Sequence, residues 1–349
     1  MKISLQKSTF DRTDLFREAG FEVKQASAKN HDEMIDLLKD ADGAQVGTYP
    51  LTSREVLKAC PKLKVLSRMG VGVDSIDHDA ATEMGILVCN VPGVNASEVA
   101  DHAMALLLAL TRKVVESVNS TRKGLWSENP KLTNEYRLGV ERIAGHTVGI
   151  LGFGNIGRAF ATRIRGFGPA NIIAYDPYVP QFVADLYGVR MVEFQELLAK
   201  VDYLSIHCSS TAETRHLINS DSLMMMKKTV MIVNTSRGPV IDETALTDAL
   251  KNERVRAAAL DVTEIEPVDS NNPLLGLPNC MVTPHSAGFS PTFLHECPIR
   301  QAENIIRVLN GQAPHSLTNP EVIKTIAVMR SSDPGRWHDI PDFSTALAL

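Results

Sequence analysis

The stretch Thr147-Val148-Gly149-Ile150-Leu151-Gly152-Phe153-Gly154-Asn155-Ile156-Gly157-Arg158 decides the fold. Its first five residues form a short apolar run that predicts a buried strand, and from 158 to 165 the apolar positions recur with helical spacing. Between strand and helix lies Gly-x-Gly-x-x-Gly, made of Gly152, Gly154 and Gly157. In that setting each glycine has its own use: the first permits a tight turn, the second lets backbone approach a pyrophosphate, and the third lets helix and strand pack closely. Backbone N–H groups at the helix start, at Asn155 and Ile156, favour the anion together with the macrodipole. The next strand, 171–175, runs into Asp176, 19 residues after Gly157. A carboxylate there accepts from the ribose hydroxyls of NAD and repels the 2′-phosphate of NADP. The competing readings are a plain strand-to-helix turn and an Asp-Pro turn made with Pro177.

Outward from this unit, short β-branched runs alternate with amphipathic segments, the pattern of parallel sheets covered by helices. Strands are expected at 203–207, 230–234, 257–260 and 281–283 downstream. Upstream, another series falls at 2–5, 21–23, 45–48, 64–67 and 86–88, with helical spacing at 12–19 and 34–40. Asn95 opens a long helix with Glu98 as capping-box partner, and marks the crossing between domains. The segment 293–309 is helical but precedes no strand that would extend the second sheet, so it returns to the first domain. The expectation is an α/β protein of two domains: a dinucleotide-binding Rossmann domain at 97–291, inserted into a substrate-binding domain made of 1–96 and 292–320. The prolines beyond leave 321–349 as an irregular tail.

A chain of 349 residues suits two domains, and with 44% apolar residues both cores can be filled. A net charge of −5 with interspersed signs offers no basic stripe for nucleic acid. The N-terminus lacks the charged-then-apolar order of an export signal, and the apolar run 103–110 is far short of a bilayer span, so a cytoplasmic protein is expected, without a membrane partner. Cys60, Cys89, Cys208, Cys280 and Cys297 lie far apart without a Cys-x-x-Cys pair, which disfavours a disulfide framework and a metal site alike.

Three polar groups follow later strands of the second series, where ligands of open α/β sheets bind. They are Arg237 in Asn234-Thr235-Ser236-Arg237-Gly238, Glu266 in Asp261-Val262-Thr263-Glu264-Ile265-Glu266-Pro267, and His285 in Thr283-Pro284-His285-Ser286-Ala287-Gly288. Taken singly, each reads as easily as a solvated charge or a packed imidazole. With Gly70-Val71-Gly72-Val73-Asp74 and the glycine turn added, the sequence from about 45 to 309 resembles the D-isomer-specific 2-hydroxyacid dehydrogenase family. The resemblance implies a flavodoxin-like substrate domain and an active site in the cleft between domains. It implies hydride transfer between NAD and C2 of a small 2-hydroxy or 2-oxo acid, of the phosphoglycerate/phosphohydroxypyruvate or hydroxypyruvate/glyoxylate class. His285 would be the general acid and base, with Glu266 favouring the imidazolium and fixing the ring. Arg237 would hold the substrate carboxylate through its planar fork, and the Val71 and Gly72 N–H groups would grip its other end. By the same resemblance Asp261 contacts the nicotinamide amide, and Cys208, Thr214, Thr235, Ser236 and Ala287 fall at cofactor-contacting sites.

Two departures from the family pattern stand out. Ser209 occupies a place where many members have proline, and Arg215-His216 replaces a common x-Gly pair, so the adenine side of the pocket is expected to be shaped differently. Arg68 matches an arginine of phosphoglycerate dehydrogenases and suits an anionic substrate tail, or else is a surface loop residue; Gly47 stands where those enzymes carry another arginine. Tyr49 and Trp126 would line the acyl pocket or simply pack. A homodimer through the arm at 101–137 follows from the resemblance only. Alternatives on the same fold are a phosphite dehydrogenase and an NAD-sensing corepressor; formate is disfavoured by Glu266 where formate dehydrogenases typically carry Gln.

Overall fold

The computed structural model describes residues 1–8, 10–332 and 335–343. The chain divides into two units, one made of Met1–Asn95 with Ser290–Leu349 and the other of Ala96–Phe289.

In the first unit the strands are β1 (Lys2–Gln6), β2 (Glu22–Ala26), β3 (Gly43–Val46), β4 (Val65–Arg68) and β5 (Leu87–Cys89). They pair in parallel in the order β2-β1-β3-β4-β5, the flavodoxin-like order. β3 begins two residues before the run of sequence that predicted it. A Cβ on Gly43 would lie 2.7 Å from Ile305 Cγ2, so the strand begins where sheet and helix Pro291–Leu309 leave no room for a side chain, and a glycine there reads as loop. That helix starts at Ser290, whose side chain accepts from the Phe293 N–H, with proline in its first turn. It buries Ala302, Ile305 and Val308 against Ile3, Leu5, Val65 and Leu87.

The segment 321–349, expected to be irregular, is not so. Residues Val322–Ser332 form a helix and Gly335–Trp337 a 3-10 turn, while 333, 334 and 344–349 lie outside the described residues. Val322 and Ile326, four apart, face the core, and Trp337 is fully buried with its indole N–H donating to the Gly85 carbonyl at 3.0 Å. Arg330 stacks over that ring at 5.7 Å and donates to the Trp337 and Ile340 carbonyls. Pro320 and Pro341 flank this piece, and Pro334 lies outside the described residues.

The second unit is a seven-stranded parallel sheet: β6 (Thr147–Leu151), β7 (Asn171–Tyr175), β8 (Arg190–Met191), β9 (Tyr203–Ile206), β10 (Met231–Asn234), β11 (Ala257–Leu260) and β12 (Cys280–Val282). The order is β12-β11-β10-β9-β6-β7-β8. β8 has no counterpart in the sequence reading, because two residues at a sheet edge carry no periodicity. Strand order reverses between β6 and β9, the switch point where such sheets bind ligands. Helix Ala96–Arg112 packs Ala100, Ala103 and Leu107 into the core that contains Val148, Phe160 and Ala161. Its expected capping box does not form: the Asn95 side-chain oxygen is out of reach of water and accepts no hydrogen bond. Among the described residues, no helix is long and apolar enough to cross a membrane.

Candidate active site

The turn after β6 separates its glycines by role. Gly152 has φ +90°, and a Cβ on it would lie 2.5 Å from the Cys208 nitrogen, two residues past β9. On Gly157 a Cβ would lie 2.2 Å from the Gly152 carbonyl oxygen. Both are therefore demanded by the chain's own backbone. Gly154 is different: a Cβ there would meet nothing within 4 Å. It precedes helix Asn155–Arg165, which has no side-chain cap, so the first-turn N–H groups at Asn155, Ile156 and Gly157 are left for a ligand.

Asp176 follows β7 and braces this turn, its Oδ2 accepting from the Phe153 N–H at 2.8 Å and its Oδ1 from the Tyr178 N–H at 3.0 Å. The Asp-Pro turn and the ribose-binding reading are thus compatible, since each oxygen keeps a further lone pair. Beside it, burial pushes the Cys208 thiol up to about 12, so this residue stays a thiol and is no nucleophile. His207, its ring tilted against Phe160 with centroids 5.2 Å apart, is pushed by burial down to about 3 and remains a neutral ring. Thr214 closes its own loop, accepting from the Thr211 N–H at 2.8 Å and donating to the Ser209 carbonyl at 2.6 Å.

The turns after β10, β11 and β12 carry Arg237, Glu266 and His285 on three adjacent strands. Asn234 organises the first by accepting from the Ser236 N–H and hydroxyl at 3.0 and 2.8 Å. Gly238 is required next to Arg237, because a Cβ would fall 1.9 Å from the Thr263 carbonyl oxygen. The Arg237 turn therefore lies directly against the Glu266 loop. Glu266 Oε1 accepts from the Thr263 N–H at 3.1 Å, and Oε2 lies 2.7 Å from His285 Nδ1. Both side chains are partly exposed, and His285 holds φ +51°, a left-handed conformation that a residue with a Cβ seldom adopts.

Asp261 explains how that conformation is held. Only 1% exposed, it accepts from Thr283 Oγ1 at 2.6 Å, from the Ser286 N–H at 2.9 Å and from the Ala287 N–H at 2.8 Å. Its carbonyl accepts from the His285 N–H at 2.9 Å, and His102 Nε2 stands 3.4 Å from its carboxylate. Beside the nicotinamide contact that the family resemblance implies, Asp261 thus holds the turn that carries His285, a use signalled in the sequence by the Thr-x-His spacing of Thr283 and His285.

Among the described residues nothing fills the space over Gly154, and the Thr235 hydroxyl is buried without a hydrogen-bond partner. Together with the uncapped helix at the switch point they fit a bound dinucleotide.

In the first unit, Arg68 is no surface loop residue. It ends β4, is 6% exposed, and its guanidinium donates to the Met69 carbonyl. The Val71 carbonyl accepts from Asn90 Nδ2 at 2.6 Å, while the Val71 and Gly72 N–H groups meet no acceptor among the described residues. Tyr49 is 67% exposed, as is much of Trp126 in the second unit. All five cysteines are free, and no cluster of metal-ligating side chains occurs among the described residues.

The second unit is thus a dinucleotide-binding domain with an imidazole–carboxylate pair at the ends of neighbouring strands. Residues 104–287 match the model of the D-isomer specific 2-hydroxyacid dehydrogenase NAD binding domain. The chain belongs to the D-isomer specific 2-hydroxyacid dehydrogenase family. It is 39% identical over 310 residues to D-3-phosphoglycerate dehydrogenase of Methanocaldococcus jannaschii, covering 88% of this chain but 57% of that protein. It is 40% identical over 294 residues to glyoxylate reductase of Korarchaeum cryptofilum, covering 83% of this chain and 86% of the relative. Among solved structures, holo D-mandelate dehydrogenase of Rhodotorula graminis superposes with a TM-score of 0.83 at 27% identity, covering 91% and 97% of the two chains.

Proposed function

We propose that this protein is an NAD-dependent oxidoreductase acting on the CH-OH group of a small D-2-hydroxy acid, or on the matching 2-oxo acid in reverse. The observation that carries the reading is the 2.7 Å contact of His285 Nδ1 with Glu266 Oε2. With Nδ1–H directed at the carboxylate, Nε2 is the ring atom left to exchange a proton with substrate oxygen. Bound NAD supplies or accepts the hydride. During reduction the His285 imidazolium gives its Nε2 proton to the oxygen at C2, and Glu266 stabilises the charge before transfer; during oxidation the neutral ring takes the proton back. Arg237 holds the substrate carboxylate and polarises the carbonyl beside it.

Cofactor contacts are assigned to Gly152, Gly154, Asn155, Ile156, Gly157, Asp176, Cys208, Thr214, Thr235, Ser236, Asp261 and Ala287, with Asp176 selecting NAD over NADP. In the first unit, the Val71 and Gly72 N–H groups are assigned to the carboxylate, Arg68 to an anionic tail and Tyr49 to the acyl side. Val114, Val115, Val118, Trp126 and Leu138 are all exposed on one arm of the second unit, which supports a homodimer. The cytosol is the proposed compartment.

The test follows absorbance of reduced nicotinamide against glyoxylate, hydroxypyruvate, phosphohydroxypyruvate and pyruvate. His285→Ala is expected to lose at least about two orders of magnitude in turnover while still binding NADH. Turnover near the parent's would remove His285 from the chemistry.

A further inference from the structure

His216 is strained and heavily engaged, yet it has no part in the chemistry above. Its φ is +50°, in the left-handed region that favours glycine. A glycine at this place would relieve the backbone, so the strain directs attention to what the imidazole reaches. Its backbone N–H donates to the Pro239 carbonyl at 2.8 Å, which ties it to the turn that begins at Arg237. Its Nε2 lies 2.6 Å from Glu264 Oε1, with Arg215 Nη2 3.5 Å from the same oxygen. Glu264 is in turn fixed by reciprocal contacts with Glu243: the Glu264 N–H donates to Glu243 Oε2 at 2.8 Å and the Glu243 N–H to Glu264 Oε2 at 3.4 Å. Asn272 Nδ2 donates to the other Glu243 oxygen at 2.6 Å.

The residue before Glu264 is Thr263, whose N–H holds Glu266. Residue 216 therefore links the Arg237 turn, through its backbone N–H, to the loop that carries the partner of His285, through its imidazole.

We propose that His216 is a positioning residue for the acid/base pair, which through Glu264 locks the 261–267 loop so that Glu266 meets His285 Nδ1. The inference builds on the proposed function, with His285 as acid and base. In this role His216 acts through Glu264 on Glu266. Glu264, which shares its loop with Glu266 and looks like a bystander carboxylate, is the other half of the latch.

The test compares His216→Gly, Glu264→Ala and Glu264→Gln with the parent and with His285→Ala. Glycine suits the backbone at 216, so folding is retained; the melting temperature and NADH dissociation constant check this. His216→Gly and Glu264→Ala are each expected to lower kcat about tenfold or more on the fastest acid of the panel, with KM within about twofold. Their combination should be no worse than either alone, because both break one linkage. Glu264→Gln, which keeps an acceptor for His216, should recover to within about threefold of the parent. A second readout needs no turnover: in protein with nitrogen-15-labelled histidine, the downfield Nδ1 proton of His285, assigned by its loss in His285→Ala, should broaden or vanish in His216→Gly. A kcat within twofold of the parent together with an intact Nδ1 signal overturns the proposal, as does a loss confined to NADH affinity. Should His285→Ala turn over, the reading of function fails instead, and the Nδ1 signal alone decides the role of His216.

Discussion

The turn after β6 and the turn after β12 end strands of one sheet, and they are built in opposite ways. The first is shaped by missing side chains: Gly152 and Gly157 let backbone touch backbone, and Gly154 leaves an opening over a helix start. The second is shaped by a side chain with several duties, the Asp261 carboxylate, which gathers Thr283, Ser286 and Ala287 and so holds His285 at φ +51°. One presents bare N–H groups to an anion; the other aims an imidazole. A site of the first kind is injured by adding an atom, and a site of the second kind by removing a bond.

Three substitutions push on that contrast. Gly157→Ala should have the largest effect, since the new methyl would stand 2.2 Å from a carbonyl oxygen that has nowhere to go. A loss of more than about 3 kcal/mol is expected in urea unfolding, or failure to accumulate as folded protein. A stable Gly157→Ala protein would show that the turn yields, contrary to the contrast. Asp261→Asn comes next. It turns an NH2 toward N–H groups in a site 1% exposed, and should lower stability by about 2–3 kcal/mol while turnover drops at least about tenfold as the His285 turn loosens. Unchanged stability with lost activity would instead point to direct cofactor contact as the residue's main use. Gly154→Ala should be nearly silent in unfolding, within about 0.5 kcal/mol, yet raise the NADH dissociation constant about tenfold, measured by nicotinamide fluorescence. Equal NADH affinity would take the pyrophosphate away from this turn.

Much of the second unit was legible because its signals are local. The strand, the glycines and Asp176 lie within thirty residues of each other, and each constrains its neighbours through turn geometry. Arg237, Glu266 and His285 were legible as residues following strands. What escaped depends on contacts between distant pieces: the burial of Arg68 at the end of β4, the approach of Ile305 to Gly43, and the joining of His216 to Glu264. The Val322–Ser332 helix was hidden for another reason. Its flanking prolines signal loop, whereas the apolar residues that seat it, through Trp337 and Phe343, are spread over some twenty positions and show no single period.

The interrupted first unit sets a timetable for biosynthesis. Strands β1 to β5 leave the ribosome roughly two hundred residues before the Pro291–Leu309 helix that covers Ile3, Leu5, Val65 and Leu87. At ordinary elongation rates the interval is on the order of 10–40 s. Through that interval the early sheet has one apolar face without its native cover, while 96–289 emerges as one uninterrupted stretch able to fold behind it. Nascent-chain chaperones should therefore engage the N-terminal strands, and release them only after Trp337 has been made.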